Sequence, residues 1–291
     1  MLSAYIAKHK QPFDEVMIQL IQGEDIPTEL KQSMLYSLSV GGKRLRPLLV
    51  FAVLEAFGHH PQKGYKVAAA LEMIHTYSLI HDDLPAMDDD ELRRGKPTNH
   101  IVYGEATAIL AGDSLLTHAF KVIAEDQELT MPQRVQLILE LSKAAGPMGM
   151  VAGQILDIEA EEHPVTLEQL KRIHIHKTGC LIEFAIVAGA LISEANETTI
   201  QTLRQFAYHL GLAFQIKDDI LDVEGNTELI GKKVGSDVSN GKSTYVSLTS
   251  LQQAKEMLAD EILAAQKLLE NLPGTTELLK AITQYIQERQ A

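Results

Sequence analysis

A single cysteine, Cys180, is all the thiol this chain carries, so no internal disulfide can form and a reducing, cytoplasmic setting is expected. Positive charge is also scarce. The chain has 26 Lys and Arg against 39 Asp and Glu, a formal net charge of -13, which argues against a nucleic-acid partner because phosphate backbones are bound by surplus Lys and Arg. An anionic ligand would need local help, such as a bound metal. Long apolar runs are missing too: the stretch from Leu181 to Ile192 is interrupted by Glu183 and Gly189 and falls short of the roughly 20 apolar residues that span a bilayer. Neither a membrane span nor a signal peptide is read, and the protein is expected to be soluble. There is no tryptophan and only 10 prolines among 291 residues, while 45% of residues are hydrophobic, enough to bury a large core.

Alternating β-branched runs bounded by turns are hard to find, whereas apolar residues recur at three- and four-residue spacing almost everywhere, so the fold is expected to be all-α. Candidate helices run over about 3–22, 28–40, 44–57 and 65–83, with breaks at Gly23, Gly41-Gly42 and between Gly58 and Gly64. Thr166 with Gln169 reads as a capping box that opens a helix toward Ile192, and Gly179 is a candidate kink. A further helix is expected over 199–222, followed by a polar stretch holding Gly225, Gly231, Gly235 and Gly241, whose spacing suits a mobile flap, and then a final helical pair. No linker divides the chain, and residues 1–291 are read as one domain.

Two aspartate clusters end apolar helical stretches: DDLPAMD from Asp82 to Asp88 and DDILD from Asp218 to Asp222. Carboxylates are disfavoured at helix C-termini by the macrodipole, and hard divalent cations bound through oxygen would reverse the local sign and let acidic groups grip phosphate. Asp218 and Asp222 are four apart and share a helix face, whereas Asp219 points elsewhere and suits a supporting role. Asp82 and Asp88 are six apart, and Pro85 between them should unwind the helix and let them converge. One such cluster alone reads equally well as a solvated acidic helix end; two together make that reading a poor one.

Cationic segments flank these clusters. Arg93, Arg94 and Lys96 follow the first, and guanidinium forks match phosphate oxygens bidentately, although pairing of Glu91 with the arginines on one helix is the bland alternative. GGKRLRP over 41–47 places glycines, Lys43 and Arg46 before a helix start, a geometry that suits a second diphosphate held without metal. Lys232 and Lys242 each follow a glycine in the expected flap. Lys177, Thr178, Gln215 and Lys217 lie within helical patterns, where buried Lys and Gln are costly unless paired.

The ordered markers GGKRLRP, HTYSLIHDDLPAMDDDELRRGKPTNH, GQILDIEAE, HKTG, FQIKDDILD, GKKVGSD and GKSTY resemble the trans-isoprenyl diphosphate synthase family over nearly the whole chain, most closely its bacterial farnesyl diphosphate synthases. The resemblance implies a large all-α helical bundle around a deep central cavity, usually a homodimer. It implies Asp82, Asp88 and Asp218 as Mg²⁺ ligands with Asp83 and Asp222 in support, three Mg²⁺ ions being expected and Mn²⁺ a possible substitute. It assigns Lys43, Arg46, His75 and Arg94 to isopentenyl diphosphate, and Arg93, Lys177, Thr178, Gln215, Lys232 and Lys242 to an allylic diphosphate. His75 is otherwise an ordinary core histidine. Asp82, Asp83, Asp88, Arg93, Lys177, Asp218 and Lys232 would carry catalysis, by stabilising the leaving diphosphate while the allylic C–O bond ionises.

In this family an aromatic residue five before the first aspartate, here Tyr77 with its neighbour Ser78, goes with a (2E,6E)-farnesyl (C15) product, and geranylgeranyl diphosphate (C20) is the near alternative. Some relatives end in a basic doublet, whereas this chain ends Arg289-Gln290-Ala291. A terpene cyclase would replace DDILD with another metal motif, a phosphohydrolase would use more metal-ligating histidines, and a noncatalytic partner subunit would have lost one aspartate motif.

Overall fold

The computed structural model describes residues 2–225 and 242–290. Helices dominate: α1 (Leu2–Gln22), α2 (Thr28–Ser39), α3 (Leu45–Ala56), α4 (Tyr65–Asp82), α5 (Asn99–Tyr103), α6 (Glu105–Ala124), α7 (Met131–Ala145), α8 (Met150–Glu162), α9 (Leu167–His174), α10 (Cys180–Ile192), α11 (Glu197–Glu224), α12 (Tyr245–Leu248), α13 (Leu251–Glu270) and α14 (Glu277–Glu288). The all-α expectation holds, and the first four helices lie within two residues of the expected bounds. An exception is a two-stranded hairpin, β1 (Leu92–Arg93) and β2 (Lys96–Pro97), with Leu92 opposite Pro97 and Arg93 opposite Lys96. Its two-residue turn is Arg94-Gly95, with φ of 54° and 75°. Positive φ at both turn residues is what a tight hairpin requires. The hairpin also disposes of the helical Glu91 pairing, because there is no helix over these residues.

The chain divides into two compact units, Met1–Phe51 with His60–Ile138, and Ala52–His59 with Leu139–Ala291. In the first, α4 is its most buried element. Every residue from Val67 to Ile74 is buried, so this helix needs no polar face and packs against α1, α2 and α6. At its start Phe13, Phe51 and Tyr65 form an aromatic cluster, with ring centroids of Phe51 and Tyr65 4.9 Å apart and His9 Nδ1 bonded to the Tyr65 hydroxyl at 3.1 Å.

In the second unit, α10 is buried almost all round and packs on α11, which also supports α13 and α14. The Thr166 capping box forms as expected, its hydroxyl accepting from the Gln169 amide. Gly179 ends a π-helical turn, Ile175–Gly179, between α9 and α10. The stretch Leu167–Ile192 is long and apolar enough to cross a membrane by length and composition, but 61% of its most apolar window is buried inside the protein, as in a core helix. α11 begins at Glu197, two residues before the expected start, because the Asn196 side chain accepts from the Thr199 amide and caps it.

Candidate active site

In the first unit, α4 stops where the residue before Pro85 can no longer hold helical geometry. Asp82 is its last residue. The chain then turns back so that the Asp88 amide donates to the Asp82 carbonyl at 2.8 Å, while the amides of Met87 and Asp89 both bond Leu84 O. The turn after α4 therefore brings the Asp88 backbone back to Asp82. Asp88 is exposed, Asp82 half-buried and Asp83 buried. Asp83 faces the hairpin, where Arg93 Nε and Nη2 donate to its Oδ1 at 2.7 and 2.5 Å. Burial pushes the Asp83 carboxyl above its ordinary range, against the opposing pull of Arg93. Burial alone would lower Arg93, but the Asp83 bond and the charges of Asp83, Asp90 and Asp82 hold it above its ordinary value.

Arg94, at the tip of the hairpin turn, reaches the GGKRLRP segment and donates from Nη1 to Gly41 O. Gly42 is required here. It has a φ of 140°, and a Cβ on it would stand 2.6 Å from Arg94 Nη1. Two residues 53 positions apart in sequence thus meet at one guanidinium. Lys43 is exposed and Arg46 half-buried.

Arg44, not singled out from the sequence, turns inward at a φ of 50°. It donates to Asp14 Oδ1, Glu72 Oε2 and Leu38 O, each at 2.8 Å, and ties this turn to α1, α2 and α4. A buried Glu72 in an otherwise apolar helix was the signal that a buried cation stands opposite.

His75, Arg44, Arg93, Arg94, Asp83 and Tyr36 are among the residues lining a pocket in this unit. Arg44 and Arg93 each pair with a carboxylate, whereas Arg94 donates to a neutral carbonyl, so the Arg94 charge is the least compensated of the three. Burial, followed by the fields of Arg46, Arg94, Arg93 and Arg44, drives His75 well below its ordinary value, so its ring is neutral near pH 7. A neutral imidazole can still donate one hydrogen bond. Tyr77 is 7% exposed and meets the His81 ring edge-on at 5.7 Å, while the Ser78 hydroxyl bonds back to His75 O at 2.9 Å.

In the second unit the DDILD carboxylates have different surroundings. Asp218 is partly exposed and accepts from Arg289 Nη2 at 2.6 Å; Arg289 also bonds Phe214 O and lies over the Phe214 ring at 4.2 Å. The terminal arginine therefore touches this motif even without a basic doublet. Asp219 is buried and accepts from the Tyr245 amide at 2.7 Å, which joins DDILD to GKSTY. Asp222 is buried as well. Gln215 and Lys217 are half-buried on the same helix, and burial followed by the charge of Arg289 lowers the Lys217 ammonium.

Lys177 and Thr178 lie on the π-helical turn, with Lys177 Nζ 2.5 Å from Asp157 Oδ2 on α8. Lys242 Nζ lies 3.9 Å from Glu161 Oε1. Lys232 lies outside the described residues. Among the described residues no three His, Cys, Asp or Glu side chains converge as a ready-made metal cage. Asp82, Asp88 and Asp218 offer carboxylate oxygens, the donor type that hard divalent cations take. The available donors are hard oxygens.

The Polyprenyl synthetase family model matches residues 27–285. The chain is 52% identical to "Farnesyl diphosphate synthase" of Bacillus subtilis (strain 168) over 290 residues, 99% of this chain and 98% of the relative. It is 45% identical to "Geranylgeranyl pyrophosphate synthase, chloroplastic" of Capsicum annuum over 266 residues, 90% of this chain and 72% of the relative. Among solved structures, an apo FPP/GFPP synthase from Zymomonas mobilis superposes with a TM-score of 0.87 at 36% identity, covering 98% of each chain.

Proposed function

The chain belongs to the polyprenyl synthetase family, and on that premise we propose that it condenses isopentenyl diphosphate with dimethylallyl and then geranyl diphosphate to give (2E,6E)-farnesyl diphosphate. The observation that carries this reading is the identity of 52% to a farnesyl diphosphate synthase over almost the full length of both chains, against 45% to a geranylgeranyl synthase.

The reaction depends on a divalent metal, which when bound neutralises the allylic diphosphate and helps it leave. Asp82, Asp88 and Asp218, with Asp83 and Asp222 in support, are proposed to hold Mg²⁺; three ions, with Mn²⁺ as a substitute, belong to the proposal. Lys43, Arg46, His75 and Arg94 bind isopentenyl diphosphate through charge and donors that need no metal. Arg93, Lys177, Thr178, Gln215, Lys232 and Lys242 bind the allylic diphosphate, and donors aimed at its oxygens favour the charge that develops as the C–O bond breaks.

The isopentenyl double bond attacks the allylic carbon, and one proton then leaves to the departed diphosphate, so the protein supplies no base of its own. Oxygens of Lys177, Thr178 and Gln215 face the cation, and exclusion of water protects it. Tyr77, with Ser78 beside it, sets the end of the growing chain. A cytoplasmic homodimer with a single domain over residues 1–291 completes the proposal.

The test is a product assay: purified protein with Mg²⁺, dimethylallyl and isopentenyl diphosphates, then dephosphorylation and mass analysis of the alcohols. A dominant C15 alcohol that vanishes with chelator is expected. A C20 alcohol would move the chain-length stop away from Tyr77, and absence of any elongated alcohol would overturn the reading.

A further inference from the structure

The GQILDIEAE segment of α8 has no part in the chemistry above, yet it packs directly against the π-helical turn that carries Lys177 and Thr178. Gly153 is buried, and a Cβ built on it would stand 2.1 Å from Lys177 N, 2.5 Å from Lys177 Cα and 2.6 Å from His176 C. All three are backbone atoms and cannot swing aside, so glycine is the residue that lets the two backbones meet. One turn further along α8, Asp157 Oδ2 stands 2.5 Å from Lys177 Nζ. The side chains are 25% and 26% exposed, which leaves the pair screened by water on one side only.

We propose that Gly153 and Asp157 are positioning residues: Gly153 sets where the π-turn backbone lies, and Asp157 aims the Lys177 ammonium. This rests on Lys177 being a ligand of the allylic diphosphate. A lysine on a flexible four-carbon stem loses much rotamer freedom when it grips a phosphate, and a carboxylate that already restrains it removes part of that cost. A π-turn departs from the regular i→i−4 ladder and needs outside support to persist in one place, which the bare Gly153 surface supplies.

The test is a double-mutant cycle on the full chain with D157A, K177A and D157A/K177A. It is read by steady-state kinetics, by binding of a non-ionisable allylic thiodiphosphate analogue, and by thermal midpoint. D157A is expected to weaken the analogue roughly tenfold, within the range of coupling between contacting residues, and to leave the KM for isopentenyl diphosphate unchanged. In the K177A background the same change should cost less than about twofold, because the group it aims is gone. D157N, whose amide oxygen still accepts from Nζ, should recover most of the affinity; if D157A does not fold, D157S, whose shorter side chain does not span to Nζ, replaces it in the cycle. Losses from D157A that are equal in the presence and absence of Lys177 would overturn the positioning role. A wild-type chain that makes no prenylated product would instead overturn the function while leaving the coupling between Asp157 and Lys177 to be read by thermal midpoint.

Discussion

Replacing Arg44 with methionine removes a guanidinium whose three partners lie on three different helices. The change isolates the ion pair, because methionine meets the same backbone strain at a φ of 50° as arginine does. Arg44 and Glu72 side chains are each 5% exposed, so R44M leaves a carboxylate in the core without its principal counter-ion, whereas Asp14, at 31%, can be rehydrated. Breaking a buried pair from one side typically costs 3–5 kcal/mol. The field of Arg94 still reaches Glu72 and places the expected loss at the lower end, about 3 kcal/mol.

At roughly 2–4 °C per kcal/mol for a protein of this size class, the thermal midpoint should fall by about 6–12 °C. Urea unfolding followed by circular dichroism measures the loss directly, with an unchanged slope expected if only the native state is affected. R44M/E72M removes both charges and should recover at least half of the loss, since an apolar replacement of a whole buried pair is often close to neutral. A cost below about 1 kcal/mol for R44M, or a double variant less stable than R44M, would refute the claim that this pair anchors the turn.

G42A is expected to push Arg94 off Gly41 and raise the KM for isopentenyl diphosphate by about tenfold, as loss of one charge-assisted bond would, with the allylic KM unchanged; initial-rate kinetics with each substrate varied would check it. Tyr77→Ala should lengthen the product from C15 to C20 by mass analysis of the alcohols, and an unchanged C15 product would remove Tyr77 as the stop. The His174 ring, with its buried Nδ1, is lowered to about 4 by burial, so the unfolded chain takes up its proton first as the pH falls. The stability linked to His174 is therefore intact above the unfolded value of about 6.5 and falls by about 3 kcal/mol as the pH approaches 4. Urea unfolding of the wild type and H174Q over that pH range should converge by this amount; parallel pH profiles would refute it.

Much of the first unit's site is legible in the sequence. Pro85 sits where a helix must end before its residue, which explains why the Asp88 backbone can return to Asp82 although their spacing fits no regular helix. The glycines of GGKRLRP likewise mark a turn that residues with a Cβ would resist. Arg94 is harder. Its position depends on a two-residue hairpin with positive φ at both turn residues, and a Leu-Arg-Arg-Gly-Lys-Pro string is too short and too charged to carry a strand period. Arg44 and Arg93 look like any other cation of their clusters, and only burial of Glu72 and Asp83 makes them counter-ions.

The sequence by itself determined the helical class, since a three- and four-residue apolar period leaves each segment one way to bury its face. It also determined the termini at Pro85, Thr166 and the paired glycines, because capping and steric exclusion act within a few residues. The tertiary structure decided which of several chemically equal side chains are paired and which are left to meet a ligand. Gly153 against the backbone of Lys177, Asp219 on the Tyr245 amide and Arg94 on Gly41 are contacts between residues 24 to 53 positions apart. Charge and hydrogen-bonding capacity are properties of a residue, but their satisfaction depends on what the fold brings within about 3 Å.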